Sequence, residues 1–288
     1  MTLPRRLLLS LALLLAFAAP AAAQRPCGTV MPTPEEYQRL LDRMPSTRMT
    51  ACVGGHVAVA VHVLTNGATG LVTMPQITAQ IAELNANFAP WGYTFSLASV
   101  DYTNNAAWFS DPSGNETALT NALAIDPAHT LNLYLCDPNG FLGYTYLPDA
   151  FPENSKYNAV YVHYATLPGG WFTPYDLGRT ATHEIGHYFG LWHTFDNGCS
   201  PGDFVDDTPA EASAAGGCPI GRDTCPAPGV DPIHNYMDYT DDACYTEFSP
   251  GQAARMCAML ATYRPSLLTS GPVPARPSTW GRLKLSYR

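Results

Sequence analysis

Residues 179–195 read RTATHEIGHYFGLWHTF. His183 and His187 are four positions apart, so on a helix they share a face, about 6 Å apart along the axis. Two imidazoles at that spacing can hold one Zn2+, and Glu184, next to the first, reaches a water on the metal. Gly190 can take a left-handed conformation that ends the helix and turns the chain sharply, which brings His193 round as a third ligand. The fourth position stays open for water, the arrangement of a catalytic zinc site. HExxH alone recurs by chance, whereas the added glycine and third histidine make the pattern specific. The chemistry it implies is Glu-assisted attack of a zinc-bound water on a peptide carbonyl, with Glu184 passing the proton to the leaving amine.

Those residues need elements to hold them. A strand is predicted at 56–64 (HVAVAVHVL), then a helix at 75–89 with Ile77, Ile81, Leu84 and Phe88 on one face. Further strands are predicted at 93–100, 131–135 and 159–164, and strands alternating with a long helix suggest an α/β layer. After Leu191 the chain turns to loops rich in Gly, Pro, Asp and Cys through Tyr245, a length that calls for disulfides or metal ions to pin it. A last helix opens at SPGQ, with Ser249 as N-cap, Pro250 in the first turn and Gln252 closing a capping box; Ala253, Met256, Cys257 and Leu260 share its inner face. From Pro265 on, prolines and the lack of periodicity predict a loosely ordered tail, 266–288.

At the other end, Arg5 and Arg6, the apolar run 7–19 and the small residues through Ala23 have the order of an export signal, 1–23. The run is shorter than the ~20 residues a spanning helix needs, so no membrane association is expected after cleavage. A secreted, extracellular chain then explains eight cysteines. Residues 24–55 are polar, carry one short helical piece at 35–43, and precede a catalytic domain at 56–265, divided into 56–193 and 194–265. The net charge is −9, yet residues 57–265 carry 21 acids against 5 bases, a difference of −16. Between Asp196 and Glu247 stand 11 acids and only one base, Arg222. Nucleic acid is therefore excluded as a partner, and bound cations or basic substrates fit. A monomer acting on proteins or peptides is expected.

The segment HNYMDYTDDAC, 234–244, resembles the Met-turn of the metzincin clan, whose HExxHxxGxxH motif is matched from His183 to His193 without a departure. The resemblance implies Met237 beneath the zinc ligands and Tyr239 near the metal, supporting the transition state. Within the clan the chain is identified as a pappalysin-family member of the secreted fungal and bacterial type, over roughly 55–264. The stretches AWF (107–109), LGYTYLP (142–148), LPGG (167–170), GDFVDDTPAE (202–211), RDTCP and FSPGQAARM carry it. It implies a metzincin of mixed α/β class: an upper five-stranded mixed sheet with a backing and an active-site helix, and a loop-rich lower subdomain ending in one helix. It also implies disulfides Cys199–Cys225 and Cys218–Cys244, and calcium in the lower half. Asp203, Asp206, Asp207, Thr208 and Glu211 are hard oxygen donors suited to a structural Ca2+, with Asp203, the Val205 carbonyl and Thr208 as ligands. Asp241 and Asp242 offer negative charge to an Arg or Lys beside the scissile bond, although Ala243 holds the position where an acid would serve best.

Two readings remain for Cys27, in QRPCGTV. A thiolate is a better zinc ligand than water, so Cys27 can hold a latent precursor's metal, with Arg25 anchoring the segment to the acidic domain; RPCGT is similar to the pro-segment of latent pappalysins. Alternatively Cys27 pairs with Cys52, and Cys136 with Cys257. His56, His62, His129, His163 and His234 lack ligand spacing and read as structural. The rival to a protease is a non-catalytic extracellular binding module on the same fold, which would be expected to lose Glu184 or a ligand; none is lost.

Overall fold

In the computed structural model the residues described are 27–43 and 54–268. The export signal, Arg25, Cys52 and the tail beyond residue 268 lie outside them. Helix α1 (Pro34–Arg43) precedes strand β1 (His56–Thr65), helix α2 (Met74–Phe88), strand β2 (Thr94–Asn104), short helices α3 (Ala106–Ser110) and α4 (Glu116–Leu123), and strand β3 (Thr130–Cys136). Strands β4 (Gly143–Thr145) and β5 (Ala159–His163), helix α5 (Arg179–Tyr188) and helix α6 (Pro250–Tyr263) complete the order.

The sheet runs β2-β1-β3-β5-β4. Four strands are parallel, and only the edge strand β4 runs antiparallel to its neighbour. Central strands covered on both faces should be apolar throughout, and all of β3 and β5 is buried. On one face α2 and α5 pack with Val57, Val59, Leu133 and Val162. On the other face a ladder of directly paired residues crosses the sheet, His62, Tyr134, Tyr161 and Tyr144, stacked at 4.6, 5.0 and 4.3 Å. His62 is structural in kind: its ring is tied to Asp101 at 2.6 Å and Asn132 at 3.0 Å.

Among the described residues the lower half has only one small cluster of its own, Ala215, Ile233 and Cys244. Tyr236, Met237, Tyr245, Phe248, Met256 and Leu260 belong to the same cluster as the sheet and α5. Among the described residues it holds only a 3-10 turn (Asp242–Cys244) before α6. Disulfides join Cys199 to Cys225 and Cys218 to Cys244, each spanning 26 residues. Ser249 accepts from the Gln252 amide at 3.0 Å and Gln252 accepts from the Ser249 amide at 2.9 Å, the reciprocal box that starts α6.

The start of the tail departs from the sequence expectation. Leu267 is buried, the Ser266 amide donates to Glu153 at 2.5 Å, and the buried Arg264 guanidinium lies 3.7 Å over the Tyr188 ring. Contacts with Glu153 and with the main core, invisible to a composition argument, hold Ser266 and Leu267. No helix among the described residues is long and apolar enough to cross a membrane.

Candidate metal centre

Helix α5 places His183 and His187 one turn apart on its inner face and ends as the sequence requires. Gly190 has φ +99°, its amide donates to the His187 carbonyl at 2.8 Å, and the Leu191 amide reaches back to Gly186 at 3.0 Å. That paired closure satisfies the last carbonyls of the helix and reverses the chain. His193 then faces its two partners, with ring centroids 5.2 Å from His183 and 4.4 Å from His187. All three histidines are buried.

The proton positions in these rings follow from their outer partners. His183 Nδ1 lies 2.7 Å from the Tyr236 carbonyl and His187 Nδ1 2.8 Å from the Leu191 carbonyl. Carbonyls only accept, so each Nδ1 carries the hydrogen and each Nε2 presents a lone pair. His193 Nδ1 is 3.1 Å from Asp196 and has the same polarity. The Nε2 atoms nevertheless stand 3.1 and 3.0 Å apart. Three acceptors at that separation repel unless a cation sits among them, and the outer hydrogen bonds are of the kind that orient metal-bound imidazoles. The donor set fits zinc.

Glu184, on the next position of α5, is buried against the edge strand; a Cβ on Gly143 would meet its Cγ at 2.6 Å. Met237 lies under α5, where a Cβ on Gly186 would meet its sulfur at 2.4 Å. Its carbonyl accepts from the Thr194 amide at 3.2 Å, joining the turn to the chain just past His193. The Tyr239 ring packs 4.9 Å from His193 and 5.8 Å from His183. Burial, then the nearby Cys27 and Glu184, raise its phenol above the ordinary value.

Cys27 is not in a disulfide, and neither is the buried Cys136, whereas Cys257 is. The alternative pairing of Cys27 with Cys52 and Cys136 with Cys257 is therefore not the one adopted, and Cys136 is the odd thiol. Cys27 Sγ and the three imidazole nitrogens lie within 4.8 Å of one another. The segment lies on the edge strand: Cys27 bridges Gly143 in parallel, and the Gly28 amide donates to the Gly143 carbonyl at 2.9 Å. Two residues on, Thr29 Oγ1 donates to Glu184 at 3.0 Å and accepts from the Thr145 amide at 3.0 Å. Burial first, and then the Glu184 charge, push the Cys27 thiol well above its usual range, so its thiolate form depends on a neighbouring cation. The helix that follows is docked: Tyr37 and Leu40 pack with Leu147, Trp192 and Met259, and Arg255 lies 5.1 Å over the Tyr37 ring.

Of the acidic residues at 203–211, several have other duties. Asp207 caps α6 through Ser249 Oγ at 2.6 Å and the Gly251 amide at 2.8 Å, and Glu211 is held by Thr194 and Arg222. Asp203 Oδ2 and Thr208 Oγ1 are buried, and burial pushes the Asp203 carboxyl up to about 7 although the Thr208 hydroxyl favours its ionised form. Asp242 is buried and accepts the Leu177 and Arg179 amides at 2.9 and 3.3 Å, so it fixes the entry to α5. Asp196, three residues past His193, was open to detection from spacing. The carbonyls of Tyr236 and Leu191 were not, because any residue type supplies one.

Known proteins are similar to this chain in sequence and fold. Residues 121–261 match the Peptidase M43 family, described as pregnancy-associated plasma protein-A. Extracellular metalloprotease NCU07200 of Neurospora crassa is 45% identical over 276 residues, 88% of this chain and 96% of that protein. A promirolysin mutant of Tannerella forsythia superposes with a TM-score of 0.72 at 26% identity, covering 83% of this chain and 95% of that one. Mature mirolysin in complex with a cleaved peptide gives a TM-score of 0.65 at 28% identity, covering 76% of this chain and all of the other.

Proposed function

The chain belongs to the pappalysin family of metalloproteases, and from that premise we propose that it is a secreted zinc endopeptidase, made as a latent precursor. The observation that carries the reading is the set of three Nε2 lone pairs turned on one point, each ring fixed from behind. His183, His187 and His193 hold the metal. A zinc there lowers the pKa of water and polarises a scissile carbonyl. Glu184 takes a proton from the attacking water and returns it to the leaving amine. Tyr239, with its phenol held protonated by burial, donates to the developing oxyanion. The bare edge strand, where Gly28 now bonds Gly143, receives an extended peptide.

Latency rests on residues 24–55, with Cys27 as the metal's fourth ligand and Thr29 occupying the carboxylate of the base. Removal of this segment frees both. Asp203, the Val205 carbonyl and Thr208 form a calcium site, supported by the burial of the Asp203 and Thr208 side-chain oxygens. Extracellular relatives and a neighbour solved with a cleaved peptide support extracellular proteins as substrates.

Hydrolysis of casein by the processed protein, with and without a zinc chelator and beside Glu184→Ala, tests the reading. Activity should require the metal and vanish in the variant. Chelator-insensitive hydrolysis, or full activity in Glu184→Ala, would overturn it.

A further inference from the structure

Arg222 is the one Lys or Arg in a stretch of 11 acids, and the structure buries its partners. Its Nη1 pairs with Glu211 at 2.5 Å and with Asp231 at 2.6 Å, both carboxylates having no exposed side-chain surface. Nη2 donates to the Ser213 carbonyl at 2.8 Å and to its hydroxyl at 2.9 Å. Cys218 and Cys225 flank this residue, and their disulfides tie its loop to Cys244 and Cys199.

The Glu211 carboxylate leads on to the metal centre. Glu211 Oε2 accepts from Thr194 Oγ1 at 2.9 Å, and Thr194 follows His193 and donates its amide to Met237. A third buried carboxylate, Asp238, accepts the Tyr239 amide at 2.7 Å and the Ala215 amide at 3.0 Å. Its other oxygen has no partner. Burial raises both carboxyls, repulsion from Asp238 adds to Glu211 and repulsion from Asp231 adds to both, and Arg222 opposes this in each. Without the guanidinium, Glu211 and Asp238 are two buried acids side by side, and one must take a proton or move.

We propose that Arg222 is a positioning residue for peptide hydrolysis: through Glu211 and Thr194 it fixes the chain beyond the third histidine, and by neutralising Glu211 it lets Asp238 hold Tyr239. This rests on the roles given above to His193 and Tyr239. A lysine cannot substitute, because one ammonium cannot engage two carboxylates and Ser213 in a fixed fork.

The test uses the full chain, processed, as wild type, Arg222→Lys, Arg222→Gln and Arg222→Gln with Glu211→Gln. Tm, zinc per chain, zinc retention against a chelator, kcat and KM are measured for each. Arg222→Lys should keep the wild-type zinc content at saturating metal and stay within a few degrees in Tm. It should retain zinc roughly tenfold or more less tightly, as outer-contact losses do. Its kcat should fall about tenfold or more, with KM within threefold. The paired substitution should recover the Tm lost in Arg222→Gln but not its kcat. Wild-type kcat and zinc retention in Arg222→Lys, or kcat recovering with Tm in the double variant, would reduce Arg222 to a brace of the fold and overturn the proposal. If Arg222→Gln does not fold, Arg222→Lys alone decides. An inactive or chelator-insensitive wild type would instead count against the zinc-protease reading.

Discussion

Each histidine at the centre turns one nitrogen to its partners and one to the surrounding protein, and the same economy governs Glu184. In the form with residues 27–29 in place, Thr29 donates to its carboxylate and Cys27 Sγ lies 3.5 Å away. Glu184 and the face of the three histidines are thus covered by one three-residue segment. Glu184→Gln keeps the shape of the side chain and removes the base; kcat is expected to fall by about 10² to 10⁴ with zinc retained, read by turnover and metal analysis. Cys27→Ser in the unprocessed chain should let peptide hydrolysis appear before processing. Thr29→Val should raise it less, since the thiol stays. An unprocessed Cys27→Ser chain as silent as wild type would remove Cys27 from the latency account. That the three histidines, Glu184, Met237 and Tyr239 lie together was legible from spacing and resemblance. Thr29 and Gly143 were not, because their roles exist only once two distant segments lie on the edge strand.

The elements that carry chemistry are also those the sequence marks most clearly. Helix α5 has its ligand spacing and its closing glycine, and α6 has its capping box. Strand β4 went unread because three residues carry no periodicity and are defined by antiparallel pairing with β5. Helices α3 and α4 were missed for the same reason, being short and set by tertiary contact. The closing glycine gives an element-scale prediction. A Cβ at position 190 would meet Met259 Cγ at 2.5 Å, on backbone with φ +99°. Gly190→Ala therefore adds both backbone strain and overpacking, about 2–4 kcal/mol together. It should lower Tm and swing His193 from its partners, so zinc content should fall as well. A variant that loses Tm but binds zinc normally would separate the turn from the ligand geometry.

At the scale of the whole molecule, one core joins upper and lower halves, and the 203–208 loop is where the long loops meet α6 and α1. Arg255 of α6 donates to the Asp203 carbonyl at 2.8 Å while its guanidinium covers Tyr37 of α1. Asp203 ties this junction to pH. Its carboxyl, ordinarily at 3.8, is pushed up to about 7 by burial. The folded chain therefore holds this proton more tightly than the unfolded chain. The resulting stability is fully present below the unfolded value and is lost as pH rises from about 4 toward 7. Between pH 5 and 8 the loss from this group is on the order of 3 kcal/mol in calcium-free buffer. Bound calcium would reverse the sign, because a cation on the ionised carboxylate competes with the proton. Wild-type Tm should fall from pH 5 to 8 more steeply than that of Asp203→Asn, and millimolar calcium at pH 8 should restore the wild type alone. Parallel pH slopes in the two chains would show that Asp203 ionises freely when folded, and the calcium assignment would lose its electrostatic support.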